Sequence, residues 1–221
     1  MTKHFQNELE RLKKKLLALS AIVEESVEKA VRSISIRDIS LARKVIENDR
    51  SIDLLEVEVE EECLKILALH QPVAVDLRFV VAVLKINNDL ERIGDLAVNI
   101  AERSTYLSQK EPIEMPFDFS TMEKKTRLML EKSIDALIQM DLEVAREVGA
   151  ADDEIDAINR EMYNQVSKGI QDSPDQADRL IHCLSISRYL ERIADYATNI
   201  AEDVIYMIEG QIVRHQPEEY K

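Results

Sequence analysis

Leu90-Glu91-Arg92-Ile93-Gly94-Asp95-Leu96-Ala97-Val98-Asn99-Ile100-Ala101-Glu102 returns later in the chain as Leu190-Glu191-Arg192-Ile193-Ala194-Asp195-Tyr196-Ala197-Thr198-Asn199-Ile200-Ala201-Glu202. Ten of the thirteen positions are identical, at an offset of 100. Further upstream, residues 27–56 align with 130–159 at an offset of 103, where Glu28, Lys29, Asp38, Ala42, Arg43, Val45, Asp49, Ile52 and Asp53 meet identical partners. The change of offset makes the second half three residues shorter between these blocks. A tandem repeat of this length and order identifies one supersecondary unit used twice.

The periodicity inside the repeat is helical. Ile86, Leu90, Ile93, Ala97 and Ile100, with Ile186, Leu190, Ile193, Ala197 and Ile200, form an apolar stripe at the three- and four-residue spacing of one helix face. All five prolines fall where helices should end: Pro72, Pro112, Pro116, Pro174 and Pro217. The spacing predicts helices near 3–36, 38–70, 74–109, 119–140, 141–171 and 174–211, with Asp38 and Asp141 as caps of the helices that follow them. The expected fold is all-α, six helices as two tandem three-helix bundles related by a pseudo-twofold. The expected units are 1–110 and 117–221, with 109–118 as linker.

Composition agrees with long helices and excludes several functions. Only 4 Gly interrupt a chain that is 45% apolar, 5% aromatic and free of Trp, so the core must be aliphatic. The longest apolar run, Phe79 to Leu84, is far short of the roughly 20 residues needed to cross a bilayer. The charged stretch Met1 to Lys15 has no hydrophobic signal core, so a cytoplasmic location is expected. A net charge of −14 repels nucleic-acid phosphates and anionic lipid. Cys63 and Cys183 lie on predicted helices outside any Cys-x-x-Cys pattern and read as small buried hydrophobes.

The polar face of the repeated helix carries the chemistry. Glu91, Asp95, Asn99 and Glu102 fall within roughly 80° of one helix face, as do Glu191, Asp195, Asn199 and Glu202. The preceding helix of each half offers a second pair one turn apart, Asp49/Asp53 and Asp152/Asp156. Side-by-side packing would bring each pair towards Glu91/Asp95 or Glu191/Asp195. Clustered carboxylates repel unless a cation sits between them, and such oxygen ligands suit Mg²⁺, Mn²⁺, Ca²⁺ and iron. A solvated face would interleave Lys or Arg at i+4, whereas the centres of these seams are acidic or Asn. Arg92 and Arg192 lie at the seam edges, placed to pair with its carboxylates or, alternatively, to contact an anion.

Catalysis has little to stand on. His4, His70, His182 and His215 form no Glu-x-x-His motif of the di-iron bundle type. There is no phosphate-binding Gly loop, nucleophile elbow or His-Glu-x-x-His. Beside a metal-binding module without catalysis stand two alternatives: a carboxylate-bundle metal store or metal-dependent enzyme, and a metal-free helical adaptor.

The run Gln71-Pro72-Val73-Ala74-Val75-Asp76-Leu77-Arg78, leading into Asp89-Leu90-Glu91-Arg92-Ile93-Gly94-Asp95, resembles the hallmark of the PhoU family, regulators of phosphate transport in bacteria and archaea. Tyr189-Leu190-Glu191-Arg192-Ile193-Ala194-Asp195 matches the second hallmark, so the resemblance spans about Phe5 to His215. It implies metal ions (iron, zinc, manganese or magnesium) held on the bundle surface by Asp49/Asp53, Glu91/Asp95, Asp152/Asp156 and Glu191/Asp195. It implies a non-enzymatic brake on phosphate uptake and starvation signalling. The implied partners are the ATPase subunit of the phosphate ABC transporter, a phosphate-sensing histidine kinase and a second copy of the chain, with the membrane approached only through these partners. One departure is that Arg78 aligns with Asp178, with Arg179 next to it.

Overall fold

The computed structural model describes residues 3–113 and 119–210. Among them run six helices: α1 (Lys3–Ser35), α2 (Ile39–His70), α3 (Ala74–Ser108), α4 (Phe119–Gln139), α5 (Leu142–Asp172) and α6 (Ala177–Glu209). A single 3₁₀ turn, Pro174–Gln176, introduces α6. The expected helix ends hold to within three residues, and Pro174 opens that turn instead of the helix itself. Pro116, Pro217, His215 and the predicted end of the last helix at 211 lie outside the described residues.

The two halves turn their corners in the same way. Between α1 and α2 the chain passes through Arg37 at φ 53°, and between α4 and α5 through Met140 at φ 58°. Left-handed residues of this kind end helices by turning the last amides back on the final turn. Each is followed by an aspartate whose carboxylate accepts from the next helix's free amides. Asp38 Oδ1 takes Ser40 and Leu41 at 2.8 and 3.1 Å, and Asp141 Oδ1 takes Glu143 and Val144 at 3.0 and 3.1 Å. Asp38 is held below the usual carboxylate range by the Ser40 hydroxyl and these amides.

Helices α1, α2 and α3 pack on one another, as do α4, α5 and α6, giving one three-helix bundle per half. The bundles are not beads on a string. Helix α3 lies along α6 and α1 touches α4, so one hydrophobic core runs through both halves, while α2 and α5 flank it on the outside. Its centre is aliphatic, as composition required: Leu12, Leu16, Leu19, Ile52, Ile86, Leu90, Ile93, Ile100, Leu130 and Leu137 are fully buried. Each such side chain contributes about 1.5–3 kcal/mol relative to exposure.

The departure at Arg78 resolves at the α3/α6 contact. Arg78 Nε donates to the Met207 carbonyl near the end of α6, at 2.8 Å. At the opposite end Arg179 donates to the Glu111 carbonyl just beyond α3, at 3.1 Å. The basic role therefore recurs in the second half, moved one position along from the aligned Asp178. Asp178 instead accepts from the Tyr106 hydroxyl.

Candidate functional site

The outer helix of each half lies along the repeated helix, and this packing assembles the acidic groups. In the first half, a methyl placed on Gly94 would meet Ile52 at 3.0 Å and Asp49 Oδ1 at 3.6 Å. The α2 and α3 backbones thus approach closely here, between Glu91 and Asp95. The apolar sides face inward, with Ile52 and Ile93 both buried, which leaves the carboxylates along the outer edge of the helix pair.

The two pairs of the first half lie near enough for their charges to act on one another. Asp49 is pushed above the usual carboxylate range by loss of solvent, then by the charges of Asp53 and Asp95. Glu91 is raised by burial and by Asp95, against the pull of Arg92, with Asp53 and Glu56 adding to the rise. Arg92 sits at the edge as expected, 3.5 Å from Glu91 Oε2 and 3.8 Å from Asp95 Oδ2. That Arg92 contact is long, and Glu91 Oε2, although buried, accepts no hydrogen bond.

The second half repeats the arrangement. Glu191 is raised by burial, then by Asp156 and, more weakly, Asp152, while Arg188 and Arg192 oppose the rise. Asp195 is pushed up to about 6 by burial of its inner side and by Glu191 and Asp156, against Arg192. Asp156 also meets Arg160 at 3.6 Å.

Not every seam residue joins these groups. Asn99, Asn199 and Glu202 are half-buried and Glu102 is exposed, further along α3 and α6. Neither Glu102 nor Glu202 figures among the charges acting on the raised carboxylates. Conversely, Glu56 belongs with the first-half group and sequence reading missed it. It is raised by burial, Glu60 and Asp53, and Asn87 Nδ2 holds it by donating to its Oε1 at 2.9 Å. Its place three residues after Asp53 was the available signal. The corresponding pair in the second half is neutral, Ser187 donating to Asn159 at 2.8 Å.

The donor chemistry of these groups is that of a hard-cation site. They gather four or more carboxylates in partly desolvated positions, and the Glu91 Oε2 orphan lacks the partner that a buried oxygen normally has. Among the described residues no three seam carboxylates bring oxygens within 4.8 Å of one another, whereas His4, Glu8 and His70 do bring their donor atoms that close. Like charges splay in the absence of a counter-ion, and a bound cation draws them inward.

The remaining readings of single residues hold up. Cys63 and Cys183 are fully buried thiols, and burial pushes both up to about 12. His182 packs at the edge of the core, stacked on Tyr106 with ring centroids 4.0 Å apart. No helix among the described residues is long and apolar enough to cross a membrane.

Fold and site together define a duplicated helical bundle carrying an acidic seam on each half. The PhoU domain profile matches residues 16–104 and 119–204, and the chain belongs to the PhoU family. It is 37% identical over 209 residues to the phosphate-specific transport system accessory protein PhoU homolog of Aquifex aeolicus, covering 95% of each chain. It is 35% identical to PhoU homolog 1 of Thermotoga maritima, over 94% of this chain and 90% of that one. The crystal structure of PhoU from Pseudomonas aeruginosa superposes with a TM-score of 0.88 at 34% identity, covering 94% of this chain and all of that one. PhoU from Streptococcus pneumoniae, described as a phosphate transport system regulatory protein, superposes with a TM-score of 0.85 at 30% identity over 95% and 99% of the two chains.

Proposed function

We propose that this chain is a metal-binding regulator that restrains phosphate uptake and phosphate-starvation signalling. Its relatives are named as accessory or regulatory proteins of phosphate transport, which supports the regulatory role. The observation that supports the metal reading is the pair of matched groups, Asp49/Asp53 with Glu91/Asp95 and Asp152/Asp156 with Glu191/Asp195, in which Asp49, Glu91, Glu191 and Asp195 are raised first by burial and then by the neighbouring carboxylates.

A bound iron, zinc, manganese or magnesium ion would supply the positive charge that lets these carboxylates stay ionised together. The chain's own residues then do the mechanical work. By clamping α2 to α3 and α5 to α6 along their outer edges, the seams fix the shape of the surface offered to a partner. The proposed partners are the ATPase subunit of the phosphate ABC transporter and a phosphate-sensing histidine kinase. A homodimer acting in the cytoplasm suits both contacts.

Elemental analysis tests the metal reading, comparing the wild-type chain with Glu91→Gln/Asp95→Asn/Glu191→Gln/Asp195→Asn. A stoichiometric loss of metal from a variant of unchanged helicity supports it. Absence of metal from both, after growth with ample iron and manganese, sinks it. The regulatory role fails if deletion of the gene leaves phosphate uptake and phosphate-responsive expression unchanged.

A further inference from the structure

The first thirteen residues of α1, from Lys3 to Lys15, have no described helical counterpart in the second half, since α4 begins at Phe119, the position matching Leu16. They also precede the first residue matched by the PhoU domain profile. This extension runs along the last turns of α2 and places three ligand-type side chains together. His4 and Glu8 stand one turn apart on α1, and His70 closes α2. One donor atom from each lies within 4.8 Å of the other two.

We propose that His4, Glu8 and His70 form a separate binding site for a borderline first-row divalent cation, with Zn²⁺ the best fit. Two imidazoles and one carboxylate are a zinc-type donor set, chemically unlike the all-oxygen seams. The geometry is close to what a tetrahedral ion requires. Ligands about 2.1 Å from one zinc stand roughly 3.4 Å apart, and His4 Nε2 lies 3.4 Å from Glu8 Oε1. His70 Nε2 is in hydrogen-bond contact with the other oxygen, Glu8 Oε2. The two imidazoles are near neighbours, with ring centroids 5.6 Å apart.

The site is also supported from behind. Glu8 is only 6% exposed, and Lys65 Nζ donates to its Oε1 at 2.9 Å, which fixes the carboxylate's orientation. Phe5 packs against the His70 ring with centroids 5.0 Å apart, setting the plane of the imidazole. His4 is the solvent-facing member, its side chain 74% exposed. Three protein ligands with one open corner leave the fourth position to water. Because α1 supplies two ligands and α2 the third, the ion would pin the free end of the extension to the bundle.

Cobalt(II) titration of chelator-stripped, untagged, full-length protein tests the site through its visible absorption. The background is the seam variant Glu91→Gln/Asp95→Asn/Glu191→Gln/Asp195→Asn, which separates this site from the seams. We expect one Co²⁺ per chain, with bands typical of imidazole ligation and displaced by Zn²⁺. His4→Gln and His70→Gln should each weaken binding by about 100-fold or more, since losing an outer-sphere partner alone costs 10–100-fold. His4→Gln alters an exposed side chain and leaves the fold intact. Unchanged affinity in both histidine variants, or no imidazole-type bands in the seam variant at millimolar cobalt, overturns the proposal. Equal metal content in the wild-type and seam proteins would overturn the seam reading and leave this one standing.

Discussion

Replacing Asp195 with Asn should stabilise the metal-free protein at neutral pH and destabilise the metal-loaded one. Asp195 stands at about 6 in the folded chain against 3.8 for a free side chain. A rise of that size corresponds to about 3 kcal/mol if undiminished. The residue is exposed on its outer side, and water screens a group so placed, so about 1 kcal/mol is the working figure. The sign follows from proton linkage. Below about pH 4 the side chain is protonated in both folded and unfolded states and the substitution changes little. As pH rises towards 6 the unfolded chain ionises freely while the folded one resists, so stability is lost relative to the variant. Above 6 the full difference persists. In the presence of chelator, Asp195→Asn should therefore raise Tm by about 2–4 °C at pH 7.5 and leave it unchanged near pH 3.5. With a seam cation present the ordering reverses, because the variant has lost a ligand. Thermal unfolding followed by circular dichroism at the two pH values, with and without metal, reads all four cases. A variant that melts lower than wild type in chelator at pH 7.5 refutes the account of the seam as strained by unneutralised charge.

Gly94→Ala should lower stability by about 1 kcal/mol in chemical denaturation, since a new methyl 3.0 Å from the Ile52 side chain outweighs the roughly 1 kcal/mol of helix propensity gained. Asp141→Ala removes the acceptor for the Glu143 and Val144 amides and should cost about 1 kcal/mol, again read from denaturant midpoints. Cys63 and Cys183, with thiols at about 12, should resist a disulfide reagent at pH 8 in the folded chain and react fully once denatured; rapid labelling of either in the native protein would contradict their burial.

Most of the architecture was legible because it rests on local chemistry repeated twice. The apolar stripe from Ile86 to Ile100, the proline breaks and the Asp38 and Asp141 caps each report a helix or its end without reference to the rest of the molecule. The seam pairs were legible for the same reason, as i,i+4 spacing survives folding unchanged. What sequence periodicity could not reveal is which helix end meets which. The His4, Glu8 and His70 trio depends on the antiparallel return of α2 alongside the start of α1, joining residues 62 and 66 positions apart. Glu56 was hidden differently. Its half-buried carboxylate is held by Asn87 from α3, a partner that helical spacing on α2 does not indicate. The Arg78 correspondence failed because alignment compares positions, whereas the requirement is a guanidinium within reach of a helix-end carbonyl. Arg179 meets that requirement from one residue further on.

Duplication preserved the carboxylate pairs while the surroundings of the two seams diverged. The first half adds Glu56 to its carboxylates, with Arg92 as the cation acting on Glu91. The second half replaces Glu56 by Asn159 and sets Arg188 and Arg192 against Glu191, with Arg160 on Asp156. Arg188 and Arg192 oppose the rise at Glu191, yet Asp195 still stands at about 6, so burial and the charges of Glu191 and Asp156 outweigh Arg192 there. The packing beneath differs as well. Gly94 lets α2 approach α3 until Ile52 and Asp49 sit over its backbone, whereas Ala194 holds a buried methyl at the matching place in the second half. The first seam therefore carries the extra carboxylate over a glycine, whereas the second carries the carboxylate raised furthest, Asp195.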